Sequence, residues 1–411
     1  MALVNALVGA ALRRERVFRD RSNPYELYDD RDMFRKYRFT RDGVSFIIDY
    51  IGDELKHTTQ RSNALTPALQ IFVALRFYAM GSVLDSSATI HGCINQYLYK
   101  YVHILFHLLT QYIGYLVKTT KQVLIPCRQA PLALISNEES LNIQTILFLS
   151  IIFLQFIKFP CTQEEVRNTQ RRFFLLASFP NVVGAIDGTH VRINGVPLGA
   201  AEHLYVNRMG FYSINVQLTC NARYEITSIS ARWPGSTHDS RICRTSVIAQ
   251  AFREGALNGL LLGDSGYGLQ SWLMTPVPLP RTRGERRYNQ AHSCTRAVIE
   301  QVNGQLKSKF RCLIGGGLNL IPERASDVIT ACACLHNISK QMKQPEVEQE
   351  RVDDDADDEA NDLNEEGDAM TGKQVRDDII RIFLHKSTVS LSSFKFTCTK
   401  LYLTSVLIPN F

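Results

Sequence analysis

Ten cysteines and not one CxxC pair or regular spacing among them argue against a disulfide framework and for reduced thiols, as in cytosol or nucleus. The first ten residues, Met1 to Ala10, carry no charge, so the basic start of a secretory signal is missing. Long apolar runs are missing too. Stretches 102 to 117 and 143 to 157 are broken by His103, His107, Gln111 and Gln144 and fall short of the roughly 20 residues of a membrane span. No membrane anchor is expected. Cys332-Ala333-Cys334-Leu335-His336 is a single tight cluster with too few spaced ligands for a closed zinc site, and it reads as packed helix with small sulfur side chains.

Acids are concentrated in one place. Between Glu346 and Asp368 stand thirteen Asp and Glu residues against Arg351 alone, in a chain whose formal net charge is +6. The rest of the chain is therefore distinctly basic, which suits a polyanionic partner. The acidic run itself, within 341–370, is expected to be a disordered, solvated linker.

At 411 residues the chain has room for two or three domains. Residues 1–81 read as a helical N-terminal domain with a Thr66-Pro67 helix start. From Arg31 to Tyr50, Arg31, Arg35, Lys36, Arg38 and Arg41 interleave with Phe34, Tyr37, Phe39 and Phe46. That pattern fits either contact with a DNA backbone or the solvated face of a small helical domain. Residues 82–155 resemble neither neighbour and read as an atypical insertion, of the kind an aberrant gene model leaves. The tail, 371–411, shows no readable periodicity after Leu384.

The pattern becomes regular from Phe174. Val182 to Ile193 is an apolar strand, followed by alternating Ile214 to Cys220, the turn Asn221-Ala222-Arg223 and a third strand to Trp233, a three-stranded antiparallel meander. Thr237-His238-Asp239-Ser240 opens a helix to about Glu254. A strand at Gly259 to Asp264, a short apolar piece at Trp272 to Pro278 and a helix from Thr295 to Leu313 complete it. This is the element order of an α/β protein with a ribonuclease-H-like mixed sheet flanked by helices.

Three acids take distinct places in that order. Asp187 ends the run Val182 to Ile186, Asp264 ends Leu260-Leu261-Leu262-Gly263, and Glu300 rides the last helix. Carboxylates at the ends of buried strands lose solvation and repel one another unless cations neutralise them. Two divalent cations about 4 Å apart would clamp the attacking and leaving oxygens of a phosphodiester. Asp187 would bridge them and Asp264 and Glu300 would each complete one shell, with hard oxygen donors selecting Mg²⁺ or Mn²⁺. Asp239 is either the first-turn acid of its helix or a fourth acid near the metals. On the Glu300 helix, Val298, Val302, Leu306 and Phe310 form the buried stripe, while Arg296, Asn303, Gly304 and Lys307 share the side of Glu300. Lys307 and Arg311 are candidates for holding backbone phosphate. His190 and His238 read as hydrogen-bonded fillers. A haloacid-dehalogenase-type phosphatase also begins at a strand-end aspartate, but its acid-base aspartate should stand two residues on, where this chain has Thr189.

Taken together, Gly184-Ala185-Ile186-Asp187-Gly188-Thr189-His190, the run Asn207 to Gln217, Trp233-Pro234-Gly235-Ser236-Thr237-His238-Asp239-Ser240, Gly263-Asp264-Ser265-Gly266-Tyr267, Val298-Ile299-Glu300 and Leu335-His336-Asn337-Ile338 resemble the PIF/Harbinger transposases. The resemblance is close over about 170–338 and looser over 20–81. It implies a DDE-type nuclease domain at 156–340, with Asp187, Asp264 and Glu300 as the acidic triad and Asp239 as a further metal contact. It also implies action on DNA in the nucleus, with the cytoplasm left open, and a separate Myb/SANT-like DNA-binding partner. A domesticated adaptor that kept the fold and lost cleavage is the alternative.

Overall fold

The computed structural model describes residues 23–56, 66–81, 156–194, 199–348 and 366–385. The expected insertion at 82–155, most of the acidic linker and the tail after His385 lie outside them. The chain divides into two compact units, the first reaching Phe77 and the second taking in Tyr78–Gly81 and the residues from 156 onward.

The first unit is helical: α1 (Pro24–Leu27), α2 (Asp30–Tyr37), α3 (Arg41–Ile51) and α4 (Pro67–Met80) as far as Phe77. Side chains of Asn23, Asp29 and Thr40 cap the first three. Thr66 Oγ accepts from the Leu69 amide at 3.3 Å with Pro67 next to it, the start read from the sequence. Of the interleaved aromatics, Tyr37 and Phe39 are core, with Tyr37 packed on Phe72 at a ring-centroid distance of 4.9 Å, while Phe34 and Phe46 are half-buried. The arginines between them make local pairs, Arg35 with Asp32 and Arg41 with Asp30.

The second unit is built on a five-stranded sheet in the order β3-β2-β1-β4-β5. Its strands are β1 (Val182–Arg192), β2 (Ser213–Cys220), β3 (Ile226–Pro234), β4 (Leu260–Leu262) and β5 (Leu273–Met274). β1, β2 and β3 pair antiparallel, whereas β4 runs parallel to β1 and β5 parallel to β4. The mixed sheet and its helices form the expected ribonuclease-H-like arrangement. β4 shows why both faces must be covered: alternate side chains point opposite ways. Leu260 and Leu262 pack with Phe173, Phe179, Tyr288 and Phe383 from α5 (Gln163–Ala177), α8 (Arg283–Lys309), α10 (Glu366–His385) and the turn before β1. Leu261 packs with Cys243, Ile248 and Phe252 from α6 (Asp239–Arg244) and α7 (Val247–Arg253).

The sequence reading differs from the structure in three elements. The single helix expected from Thr237 to Glu254 is two, because Ser246 Oγ takes the Ala249 amide and starts a new one. α8 begins at Arg283, twelve residues before the expected Thr295, fixed by a reciprocal capping box between Thr282 and Glu285. Residues in the supposed tail form α10, whose Ile380 and Leu384 come so close to Gly284 that a β-carbon there would lie 2.7 Å from Leu384.

α9 (Pro322–Gln341) covers β3 and buries Cys332, Cys334 and His336. His336 Nε2 lies 2.8 Å from the Tyr224 carbonyl oxygen and His292 Nε2 lies 3.1 Å from that of Met274, each carbonyl accepting. Burial pushes His336 down to about 3 and His292 down to about 4. Both must stay neutral to remain inside, whereas the unfolded chain protonates them near 6.5. Their contribution is complete above pH 6.5 and is lost as the pH falls toward the folded values, by up to about 1.4 kcal/mol per pH unit for each histidine. Urea midpoints are therefore expected to drop between pH 6.5 and 4.5. Replacing His336 with glutamine should flatten that drop, and an unchanged slope would remove His336 as its source.

Candidate nuclease site

Strand register brings the first two acids together. Ala185 on β1 pairs with Leu262 on β4, and two residues beyond that pair stand Asp187 and Asp264. Parallel neighbours lie about 4.8 Å apart, so the register alone sets these carboxylates at adjacent positions along the sheet's end. β4 stops at Leu262 while β1 runs on to Arg192. The edge of β1 beyond Asp187 is therefore not paired with β4. Asp264 is held by its own loop, with Oδ1 accepting from the Gly266 amide at 3.1 Å.

α8 supplies the third acid and most of the contacts to the first. Asn303 Nδ2 donates to Asp187 Oδ2 at 3.0 Å, and Arg296 Nη1 donates to Asp187 Oδ1 at 3.3 Å. The other end of the same guanidinium pairs with Glu300 Oε1. Val298, Val302, Leu306 and Phe310 are buried, as the helical spacing predicts. Glu300 is 55% exposed, and Asp187 and Arg296 only 16% and 15%. Burial pushes the Asp187 carboxyl well above its ordinary range. Arg296 opposes that shift, and Asp264, Asp239 and Glu300 add to it. The four acids singled out in the sequence thus share one electrostatic neighbourhood.

Asp239 enters from the other side of the strand. Its Oδ1 accepts from Asn215 Nδ2 at 2.7 Å, and its carboxylate lies against Gly188, where a β-carbon would sit 2.2 Å from Oδ2. Asp187 turns to α8, so the two are neighbours across the backbone of β1. Glycine at 188 is the condition for that approach. Gly188→Ala is expected to displace Asp239 and lower any metal-supported activity at least about tenfold, because misplacement of about 1 Å costs that much or more. Normal activity of Gly188→Ala would remove Asp239 from the site.

Other neighbours were not singled out as site residues from the sequence. Gln217 Nε2 donates to the Tyr267 hydroxyl and to the Asp239 carbonyl, both at 3.4 Å. Burial, then Asp239, Asp187 and Asp264, hold the Tyr267 phenol well above its usual range, so it stays neutral beside them. The alternation Ile214-Asn215-Val216-Gln217 carried the signal: two amides on the polar phase of a strand next to an acid-bearing one. His190 Nδ1 lies 3.0 Å from Ser213 Oγ, the hydrogen-bonded role expected of it. His238 is the N-cap residue of α6 without a capping side-chain bond.

Lys307 is a correction. It is 3% exposed, since the last turn of α8 is covered all round, with Leu306, Ser308, Lys309 and Phe310 buried beside it. It is not at the surface where a phosphate would lie. Arg311, in the short helix that follows, is exposed.

The donor set suits a hard divalent cation. Besides the carboxylates, Asn303 Oδ1 and Asn215 Oδ1 are buried without a hydrogen-bond partner, and each belongs to an amide already bound to a site acid. As the side chains stand, no three His, Cys, Asp or Glu residues among those described are placed to hold a metal ion. Arg296 lies between two of the acids.

Residues 186–337 match the family model described as DDE superfamily endonuclease. The Mus musculus protein named "Putative nuclease HARBI1" is 33% identical over 313 residues, covering 75% of this chain and 78% of the relative. The Homo sapiens protein of that name is 32% identical over the same length. The Arabidopsis thaliana "Protein ALP1-like" is 25% identical over 204 residues, covering 46% of this chain and 49% of its own. No solved structure matches the chain. With its acids carried on β1, after β4 and on α8 in a ribonuclease-H-like unit, the chain belongs to the PIF/Harbinger transposase-derived nucleases of the DDE endonuclease superfamily.

Proposed function

We propose that the protein is a Mg²⁺- or Mn²⁺-dependent DNA endonuclease that hydrolyses phosphodiester bonds. The observation that carries this reading is geometric: the strand register sets Asp264 beside Asp187, and α8 brings Glu300 to the same place through the guanidinium it shares with Asp187. Such a cluster is costly unless a cation neutralises it.

Asp187, Asp264 and Glu300 would hold the cations, with Asp239 alongside. When bound, these ions supply Lewis-acid activation of water and stabilisation of the leaving oxygen. Asn303 orients Asp187 through its 3.0 Å bond, and Asn215 orients Asp239 through its 2.7 Å bond. Tyr267 is buried beside these acids and accepts from Gln217 at 3.4 Å. Arg311 is the exposed candidate for backbone phosphate. The basic excess of the chain outside 346–368 suits DNA. Action in the nucleus with a Myb/SANT-like DNA-binding partner is part of the same proposal and rests on family likeness.

The pairing of Arg296 with both Asp187 and Glu300 favours a second reading, an adaptor that kept the fold and lost cleavage. Nicking of supercoiled plasmid separates the two. The nuclease reading expects nicked circles in Mg²⁺, none in EDTA and none from Asp187→Asn. Activity that survives that substitution would sink it.

A further inference from the structure

Arg296 makes a contact that the acidic triad alone does not explain. It sits one helical turn before Glu300 on α8, and its guanidinium is shared between Asp187, 109 positions away on β1, and Glu300. At 15% side-chain exposure it is a nearly enclosed cation among carboxylates from two elements. An ordinary surface pair at i, i+4 has neither feature. A guanidinium carries a single charge on a planar fork that can engage two carboxylates at once. It therefore does part of what a divalent ion would do, at the cost of occupying the oxygens such an ion needs.

We propose that Arg296 is a tethered counter-ion: in the metal-free protein it joins Asp187 to Glu300, and uptake of a divalent cation requires it to release at least one of them. The inference rests on the metal-dependent reading above. Its single charge faces two carboxylates, Asp187 and Glu300, with Asp264 set beside Asp187 by the strand register, so a doubly charged ion matches the cluster better and can displace it. Arg296 is here a positioning residue, and it makes the empty site stable enough to fold without metal and harder to load.

The test uses the full chain and Mn²⁺ as the probe, with calorimetric titration and thermal unfolding of wild type, Arg296→Gln and Arg296→Lys. In EDTA, Arg296→Gln should melt below wild type. With Mn²⁺ it should gain more than wild type gains, and its Mn²⁺ affinity should be tighter by about fivefold or more. Arg296→Lys keeps the charge but cannot span both carboxylates, so it too should bind Mn²⁺ more tightly than wild type. If Arg296→Gln cannot be purified folded, the lysine variant decides. Wild type that binds Mn²⁺ together with variants that bind it equally or more weakly would overturn the counter-ion role and leave the nuclease reading standing. Wild type that takes up no Mn²⁺ would overturn both.

Discussion

Replacing Asp187 with asparagine should lower Mg²⁺-dependent plasmid nicking at least about a thousandfold, equivalent to roughly 4 kcal/mol of transition-state stabilisation, while the protein still folds. The two effects separate because of where Asp187 stands. Its carboxyl is buried, raised by burial and by Asp264, Asp239 and Glu300, and only partly offset by Arg296. A neutral amide of the same shape removes that repulsion, and its oxygen can still accept from Asn303 or Arg296. Stability should therefore stay within about 1 kcal/mol of wild type. The negative charge that gathers cations is gone. Asp264→Asn should behave alike, since the strand register sets it beside Asp187. Asp239→Asn should lose less, because Asp239 lies across the backbone at Gly188. Gel assays in Mg²⁺ and EDTA, with circular dichroism on each variant, read both quantities. Equal losses at all three acids would contradict the division of roles.

The largest stability effect is expected at Asn337. Buried on α9, it accepts from the Ile226 amide at 2.8 Å and donates to the Ile226 and Phe156 carbonyl oxygens, both at 2.7 Å. One side chain thus satisfies the first residue of edge strand β3 and the backbone at Phe156. Asn337→Leu keeps the size and strands three backbone groups in a dry interior. Each costs about 1–3 kcal/mol when left unpaired, so a loss of about 4 kcal/mol is expected in urea unfolding. That is a large share of the 5–15 kcal/mol typical of a whole domain. A loss below about 1 kcal/mol would mean that water reaches the site and the bonds are replaceable.

What the sequence disclosed follows from which forces act locally. β1, β2, β3 and β4 were legible because their apolar runs are closed by glycine or by turn residues, and the acids were legible because they stand where those runs end. The stripe Val298, Val302, Leu306, Phe310 was legible because helical spacing sorts residues by burial. The first half of α8 was not, since Arg283, Glu285, Arg286 and Arg287 carry no apolar period and only the capping box announces them. α10 was missed because it depends on a distant partner: Ile380 and Leu384 need Gly284, nearly a hundred residues earlier, to have something to cover. Lys307 was misplaced for the opposite reason, since a helical wheel cannot see what packs against the polar side. Arg296 shows the limit most clearly. Its pairing with Glu300 follows from spacing, but its pairing with Asp187 spans 109 positions and appears only once the sheet is folded.

Crystals of the full chain soaked in Mn²⁺ and measured at the manganese edge would test most directly whether these acids form a cation site. Anomalous density within about 2.0–2.4 Å of carboxylate oxygens of Asp187 and Asp264, with the Arg296 guanidinium moved off at least one of its partners, is the predicted result. Density at other sites only, with Arg296 still joining Asp187 to Glu300 at saturating Mn²⁺, would contradict it.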